Sequence, residues 1–182
     1  VAFSFDDGFD DCYLSLAPVL EKFNINACFF INPGFVTGDN EYCQNFTEEI
    51  VLTPGKKPMS WQQIRSLHEN GFIIGNHTFD HLRLSSIKPE QALQQVLNSK
   101  EKIESELKSN CNFFAWPFGQ YLDITPSLIN MLHKHHDFIF SGCDYQQYTS
   151  YNGKVINRRH FEADWSFREL KYFLSKQRAY KK

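Results

Sequence analysis

Two groups of acidic and imidazole side chains stand out in this 182-residue sequence. Asp6 and Asp7 are adjacent and precede Gly8, directly after the apolar run 1–5. Like charges this close repel and raise the pKa of one carboxyl group unless a cation or hydrogen-bond donors offset the repulsion. A metal would resolve the conflict, because one carboxylate can ligate it while the other stays free as a base. The alternative is a solvated acidic loop that caps the next helix.

The second group consists of His77 and His81, which follow another short apolar run. Two histidines four positions apart face one cation if the segment turns as a helix does, and neutral imidazoles suit zinc and other borderline metals. A histidine pair alone is a weak signal. Together with an aspartate, the pair provides three ligands and an open position, which is typical of a catalytic zinc site.

The elements around these groups predict a parallel sheet. Apolar runs alternate with amphipathic stretches, which favours an α/β fold, either open or closed as a barrel. Sites in such folds lie at the carboxyl ends of the strands, where both groups fall. The predicted strands are 1–5, 26–31, 72–75, 112–116, 137–140 and 155–157, and the predicted helices are 11–23, 60–70, 89–107, 125–136 and a last one after residue 166.

Local patterns mark two helix starts and one long loop. Ser60 with Gln63 and Ser166 with Glu169 match the capping-box pattern. Residues 34–58 show no regular periodicity and follow the second predicted strand. Loops of this length in a compact domain are usually functional, so we expect this one on the active face, where it would set substrate specificity.

Composition excludes several classes of protein. With 42% hydrophobic residues, 22% charged residues and a formal net charge of −2, the sequence predicts one soluble domain. Its apolar runs are far shorter than the ~20 residues of a transmembrane segment. Near-balanced charge argues against a nucleic-acid partner.

The thiols and the remaining imidazoles indicate no further site. The five cysteines are irregularly spaced, which predicts neither a disulfide framework nor a zinc finger. Cys28 and Cys111 lie in apolar runs and are predicted to be buried. The three histidines within residues 133–136 lie near a predicted helix end and are expected to be solvated.

A third segment, residues 114–119, follows the fourth predicted strand. Pro117 and Gly119 would shape a tight loop there, and Trp116 and Phe118 could line a pocket. By itself the segment indicates no more than a turn.

The three segments, in this order, resemble the motifs of polysaccharide deacetylases with the NodB-homology domain, carbohydrate esterase family 4. The family motif T-F-D-D-G reads S-F-D-D-G at residues 4–8, and H-S/T-x-x-H reads H-T-F-D-H at residues 77–81. The motif R-x-P-Y-G reads A-W-P-F-G at residues 115–119. The resemblance covers about residues 1–142.

The resemblance implies a distorted TIM-like (β/α) barrel with fewer than eight regular units. Residues 1–182 would form a single NodB-homology domain, and the apolar start at Val1 suggests that it was cut from a longer chain. Family members often act outside the cytoplasmic membrane, so an extracytoplasmic location is expected from the resemblance alone.

The resemblance also implies the chemistry and its residues. Asp7, His77 and His81 would hold a divalent metal, usually Zn²⁺, with Co²⁺ as another transition metal that could serve. Asp6 would be the catalytic base in hydrolysis of the acetamide of an N-acetylated glycan. The oxyanion and substrate contacts would come from the third segment, through Trp116, Pro117 and a backbone N–H, that of Phe118.

Two residues of the family pattern, an arginine and a histidine, are missing here, so other residues would have to take their roles. The arginine that orients the catalytic aspartate is Ala115 here. Relatives resembling the poly-N-acetylglucosamine branch also lack it and use an arginine from a later strand, which favours Arg158 over Arg159. The late L-x-H motif that supplies the acid histidine is not recognisable, so His160 is the expected general acid.

Three alternatives remain from the sequence. The two departures motivate a catalytically weak carbohydrate-binding protein on the same scaffold. An O-acetyl esterase acting on acetylated polysaccharide would use the same site. A magnesium phosphohydrolase built on Asp6 and Asp7 is disfavoured, because magnesium prefers oxygen ligands and two histidines accompany the carboxylates.

Overall fold

The computed structural model describes residues 2–142, 146–161 and 165–175. Seven strands form one sheet that curls into a half-barrel. They are β1 (Phe3–Phe5), β2 (Ala27–Ile31), β3 (Ile73–Asn76), β4 (Phe113–Ala115), β5 (Phe138–Ser141), β6 (Thr149–Ser150) and β7 (Val155–Asn157). The strand order is β1-β2-β3-β4-β5-β7-β6, and every neighbouring pair is parallel except β6 with β7. The α/β prediction is confirmed, and the short β6 is an addition.

Helices alternate with the strands, and several of them begin at a residue whose side chain caps the helix. Both predicted capping boxes are present, since the Gln63 N–H donates to Ser60 Oγ and the Glu169 N–H donates to Ser166 Oγ. The helices are α1 (Ala17–Lys22, preceded by the π-helical turn Cys12–Leu16), α2 (Pro33–Thr37), α3 (Asn40–Asn45, continued by the π-helical turn Phe46–Ile50), α4 (Trp61–Glu69), α5 (Pro89–Leu107), α6 (Pro126–Leu132) and α7 (Phe167–Ser175). Two 3₁₀ turns cover Leu84–Ser86 and Tyr121–Asp123.

Residues 34–58 are not the irregular loop that the sequence predicts, because α2, α3 and a π-helical turn occupy most of them. Asp39 caps α3 by accepting a hydrogen bond from the Tyr42 N–H at 2.9 Å. The rings of Phe35 and Phe46 are fully buried and stack with centroids 4.1 Å apart. Helices this short depend on tertiary packing, and their apolar periodicity is too brief to recognise in a sequence.

Two side chains expected in a pocket or in solvent are buried instead. Trp116 is fully buried in the core, where its Nε1–H donates to Gln120 O at 3.0 Å, so it does not line an open pocket. His136 is buried with its Nε2 3.2 Å from Asn76 Nδ2, so it is not solvated. A hydrogen-bond partner inside the fold removes much of the cost of burying a polar atom, and the sequence does not reveal that partner.

Two predictions about the cysteines and about membrane spans can be compared with the described residues. Cys28 and Cys111 are buried free thiols, as predicted, and burial raises the pKa of Cys111 to about 12. Cys143 lies outside the described residues. No helix within the described part of the chain is long and apolar enough to span a bilayer.

Candidate active site

The acidic and imidazole groups meet at the carboxyl edge of the sheet. Asp7 follows β1 and His77 follows β3, and β2 pairs in parallel with both strands, which brings their ends to one edge. Asp7 Oδ1 lies 3.5 Å from His77 Nε2 and 3.2 Å from His81 Nε2. The three ligand atoms all lie within 4.8 Å of one another, so a single ion can contact all of them.

The chemistry of this donor set fits a metal ion. Asp7 Oδ1 is buried and accepts no hydrogen bond from the described residues, which costs free energy unless a cation pairs with it. His77 Nδ1 lies 2.8 Å from Ala115 O, so Nδ1 carries the proton and Nε2 keeps its lone pair on the side of Asp7. Two imidazole nitrogens and one carboxylate oxygen are the protein ligands of a catalytic zinc site.

Left-handed backbone geometry, and not the helical turn considered from the four-residue spacing, brings the ligands together. Asp7, Thr78 and His81 have φ values of 71°, 67° and 56°. Such residues cost on the order of 1–3 kcal/mol each and persist where the surroundings fix them. Asn76 Oδ1 accepts a hydrogen bond from the Thr78 N–H at 2.9 Å, and Thr78 Oγ1 accepts one from the His81 N–H at 3.1 Å.

Arg158 holds the carboxylate of Asp6 from the opposite end of the sheet. Its Nη1 donates to Asp6 Oδ1 at 2.6 Å, and its Nη2 donates to Oδ2 at 2.8 Å. The guanidinium also donates to Ser4 Oγ and Ser141 O and lies 5.0 Å from the centroid of the Phe30 ring. A bidentate pair fixes the orientation of a carboxylate as well as its charge. Arg158, which we expected to take the place of the family arginine that is missing at position 115, therefore contacts Asp6.

The electrostatics of the site favour an ionised Asp6 beside a neutral His77. Burial alone would raise the pKa of the Asp6 carboxyl, but the charge and hydrogen bonds of Arg158 hold that pKa well below its usual range. Burial lowers the pKa of His77, because a buried imidazole resists taking a charge. His77 Nε2 lies 3.9 Å from Asp6 Oδ2.

The third segment lies beside the ligands, and its residues have different environments. Ala115 and Pro117 are buried, and the carbonyl of Ala115 orients His77. Phe118 is 41% exposed, and its ring meets the imidazole of His81 edge-on at 4.9 Å. The Phe118 N–H donates no hydrogen bond to any of the described residues, so this donor is available to a ligand.

The two remaining candidates, Arg159 and His160, directly follow Arg158 in the sequence. Arg159 Nη1 donates to Phe173 O at 2.8 Å, and its guanidinium carbon lies 5.4 Å from the centroid of the Phe173 ring, so this arginine contacts α7. Between the two arginines considered from the sequence, Arg158 is the one bonded to Asp6. His160 is exposed and does not belong to the group of three ligands, and its role as general acid stays a prediction.

Sequence reasoning missed the support of the histidine loop, which we define as residues 77–83. Asp80 accepts hydrogen bonds from Tyr42 Oη and from Gln95 Nε2, both at 2.8 Å, which ties the loop to α3 and α5. Phe46 packs edge-on against the ring of His81 at 5.8 Å. The position of Asp80 within the histidine motif indicates that it lies near the site. Nothing in the sequence marks Tyr42, 38 positions away, as its hydrogen-bond partner.

Comparison with known proteins identifies the family. The sequence profile of the family described as polysaccharide deacetylase matches residues 1–135, so the chain belongs to that family. YxkH of Bacillus subtilis (strain 168), named for the same family, is 26% identical over 125 residues, which make up 69% of this chain and 39% of YxkH. The peptidoglycan-N-acetylglucosamine deacetylase of Bacillus cereus is 25% identical over 125 residues, which make up 68% of this chain and 38% of that protein. The chain therefore spans less than half the length of either relative.

Similarity to a solved structure confirms the fold. The Streptococcus pyogenes deacetylase PplD, solved in complex with acetate, superimposes with a TM-score of 0.72 at 20% identity. The similarity covers 95% of this chain and 69% of PplD. The predicted NodB-homology fold is thus present over nearly the whole chain.

Proposed function

We propose that this chain is a zinc-dependent hydrolase that removes N-acetyl groups from the sugars of a glycan. The observation that carries the proposal is the position of Asp6, held by Arg158 beside the cluster of Asp7, His77 and His81. Membership of the polysaccharide deacetylase family supports carbohydrate deacetylation in general. The name of the Bacillus cereus relative supports the N-acetyl group as the target.

The residues of the site divide between ligand binding and proton transfer. Asp7, His77 and His81 would hold Zn²⁺, which supplies a Lewis acid for the acetamide carbonyl and lowers the pKa of a water. Asp6 accepts the proton of the attacking water as its oxygen adds to the carbonyl carbon. Arg158 keeps the Asp6 carboxylate ionised and fixed in orientation, so that little reorganisation accompanies the transfer.

The remaining steps need a donor for the oxyanion and a proton for the leaving group. The Phe118 N–H, which has no hydrogen-bond partner among the described residues, would donate to the carbonyl oxygen as negative charge develops on it. The carbon–nitrogen bond then breaks, the nitrogen takes up a proton, and acetate and a free amino sugar leave. His160, two positions beyond Arg158, is the residue that we propose for delivering this proton. An extracytoplasmic location is part of the proposal and rests on the family.

The contact between Arg158 and Asp6 favours an enzyme over a catalytically weak sugar-binding protein. That alternative rested in part on Ala115, where the family has the arginine that orients the base. The same pairing is made here from a different strand, so the base is oriented. An O-acetyl ester presents the same carbonyl carbon to the site, so the test compares both kinds of substrate.

Acetate release is the measurement that tests the proposal. Metal-stripped protein, with and without added zinc, is incubated with β-1,4-linked and β-1,6-linked N-acetylglucosamine oligomers and with O-acetylated xylan. We expect zinc-dependent release from an N-acetylated oligomer and a loss of about 100-fold or more in the Asp6→Asn variant, since a general base contributes on the order of 10²–10⁴-fold.

Three outcomes would contradict the proposal in different ways. Release from xylan alone would make the protein an O-acetyl esterase. No release from protein that binds zinc in calorimetry would favour the carbohydrate-binding protein. Absence of zinc binding would remove the metal site, and the family membership would then describe the fold.

A further inference from the structure

Arg83 lies two positions beyond the ligand His81 and outside the three motifs. Its guanidinium carbon lies 4.4 Å from the centroid of the Phe118 ring, and its Nη1 pairs with Asp123 Oδ1. The Asp123 side chain is fully buried, whereas 47% of the Arg83 side chain is exposed. One cation therefore connects the histidine loop with two points of the loop formed by residues 116–123.

The loop of residues 116–123 requires support because its backbone is strained. Phe118 and Gly119 have φ values of 63° and 73°, and the left-handed conformation is unfavourable for an aromatic residue. A Cβ on Gly119 would lie 2.8 Å from backbone atoms of Gly142, so the two backbone segments approach each other closely here. The Gly142 N–H donates to Gly119 O at 3.0 Å, which fixes one side of the loop.

Asp123 fixes the other side of the loop, and its buried carboxylate is stable only when a cation pairs with it. Its Oδ2 accepts a hydrogen bond from the Gln120 N–H at 2.8 Å, so the loop closes around the carboxylate. A buried carboxylate is stable when it is paired and strongly destabilising when its partner is removed. Among the described residues, the ion pair of Asp123 is made with Arg83.

We propose that Arg83 is a positioning residue for the reaction, which acts by fixing the backbone of Phe118 and not by holding the metal ligands. This inference rests on the proposed function, in which the Phe118 N–H donates to the oxyanion. Removal of an oxyanion donor costs about 10²–10³-fold in kcat, and a donor that is displaced but present costs less. We therefore expect Arg83→Gln to lower kcat about tenfold and to leave KM within about twofold.

The test compares two Arg83 variants with a control on the protein surface. Arg83→Lys keeps a cation beside Asp123 and Phe118, and we expect it to recover most of the lost kcat. Arg65→Gln removes a surface ion pair with Glu106 and should leave kcat unchanged. Calorimetry gives the zinc Kd. Hydrogen exchange of peptides covering residues 116–123 measures how readily the backbone of that loop opens, and this readout does not depend on activity. We expect Arg83→Gln to speed exchange in that loop and to leave the zinc Kd within about twofold.

Several results would overturn the inference. An unchanged kcat in folded Arg83→Gln would do so, and so would a zinc Kd that weakens in step with kcat, because Arg83 would then support the histidine loop. Unchanged exchange of residues 116–123 would overturn it whether or not the protein is active. Failure of wild-type protein to release acetate would instead contradict the proposed function. If Arg83→Gln does not fold, the double variant with Asp123→Asn removes the unpaired buried charge and carries the same test.

Discussion

The proposed metal side of the site (Asp7, His77 and His81) and its proposed base side (Asp6 and Arg158) are built by different means. On the metal side, His77 and His81 come from one five-residue motif, and left-handed backbone at Asp7 and His81 turns the donors together. On the base side, Asp6 depends on Arg158, which is 152 positions away in the chain. Local backbone geometry positions the proposed ligands, whereas the curl of the sheet positions the arginine that holds the proposed base. The two sides should therefore respond separately to mutation.

The largest effect is expected when the metal side loses a ligand. His81→Ala removes one of three donors, so the zinc Kd should weaken by more than about 100-fold, beyond the 10–100-fold typical of groups that only support ligands. Isothermal calorimetry on the purified variant measures this change, with His68→Ala on α4 as a matched control. A Kd within tenfold of wild type would show that His81 is not a ligand.

A smaller effect, confined to turnover, is expected when the base side loses its arginine. Arg158→Ala leaves Asp6 without its bidentate partner, so turnover in acetate release should fall by more than about tenfold while bound zinc stays unchanged. Metal analysis of the same samples measures the zinc content. Arg159→Ala removes the neighbouring arginine, which contacts α7, and should leave turnover near wild type. Unchanged turnover in Arg158→Ala would remove this residue from the site, and loss of zinc would show that the two sides are not separable.

The smallest effect concerns the support of the metal side under mild acid. Burial lowers the pKa of His136, which packs against Asn76, to about 3. As the pH falls below about 6.5, the unfolded chain binds a proton at this histidine and the folded chain does not, so stability declines until the pH reaches about 3. Relative to His136→Gln, wild type should lose about 0.8 kcal/mol in the free energy of unfolding between pH 8 and pH 6.

Denaturant unfolding of the metal-free proteins at several pH values measures this difference. His135→Gln, at an exposed neighbouring position, is the matched control and should follow wild type. A His136→Gln variant with the same pH dependence as wild type would show that His136 has the same pKa in the folded and unfolded states and is not the source of acid sensitivity.

The sequence predicted those parts of the site that depend on residue type at the end of a strand. Asp7, His77 and His81 could be recognised because parallel strands bring their carboxyl ends to one edge, so chemical type and strand order were sufficient. Arg158 became a candidate because Ala115 departs from a family motif, and not because of any local pattern. The partners of Asp80 and Asp123 were not predicted, because their contacts cross between elements that are distant in the chain.

The helical segment within residues 34–58 and the burial of Trp116 and His136 show the same limit. A short helix has too few turns to display periodicity, and it forms here because Phe35 and Phe46 stack in the core. A side chain with a polar group is buried where the fold provides a hydrogen-bond partner for that group, as the Gln120 carbonyl does for the Trp116 indole N–H. Neither condition can be read from neighbouring residues.

By itself, the sequence determined the alternation of strands and helices, the acidic and imidazole groups at two strand ends and, through them, the family. These properties depend on hydrophobic periodicity and residue type over a few positions. The tertiary structure decided which arginine reaches Asp6, how the ligand loop is supported and how Arg83 connects the site to the loop of Phe118. The contact of Arg158 forms because the sheet curls and brings β1 and β7 within the reach of one side chain. The other contacts join segments that follow neighbouring strands, so all of them depend on the fold of the whole chain.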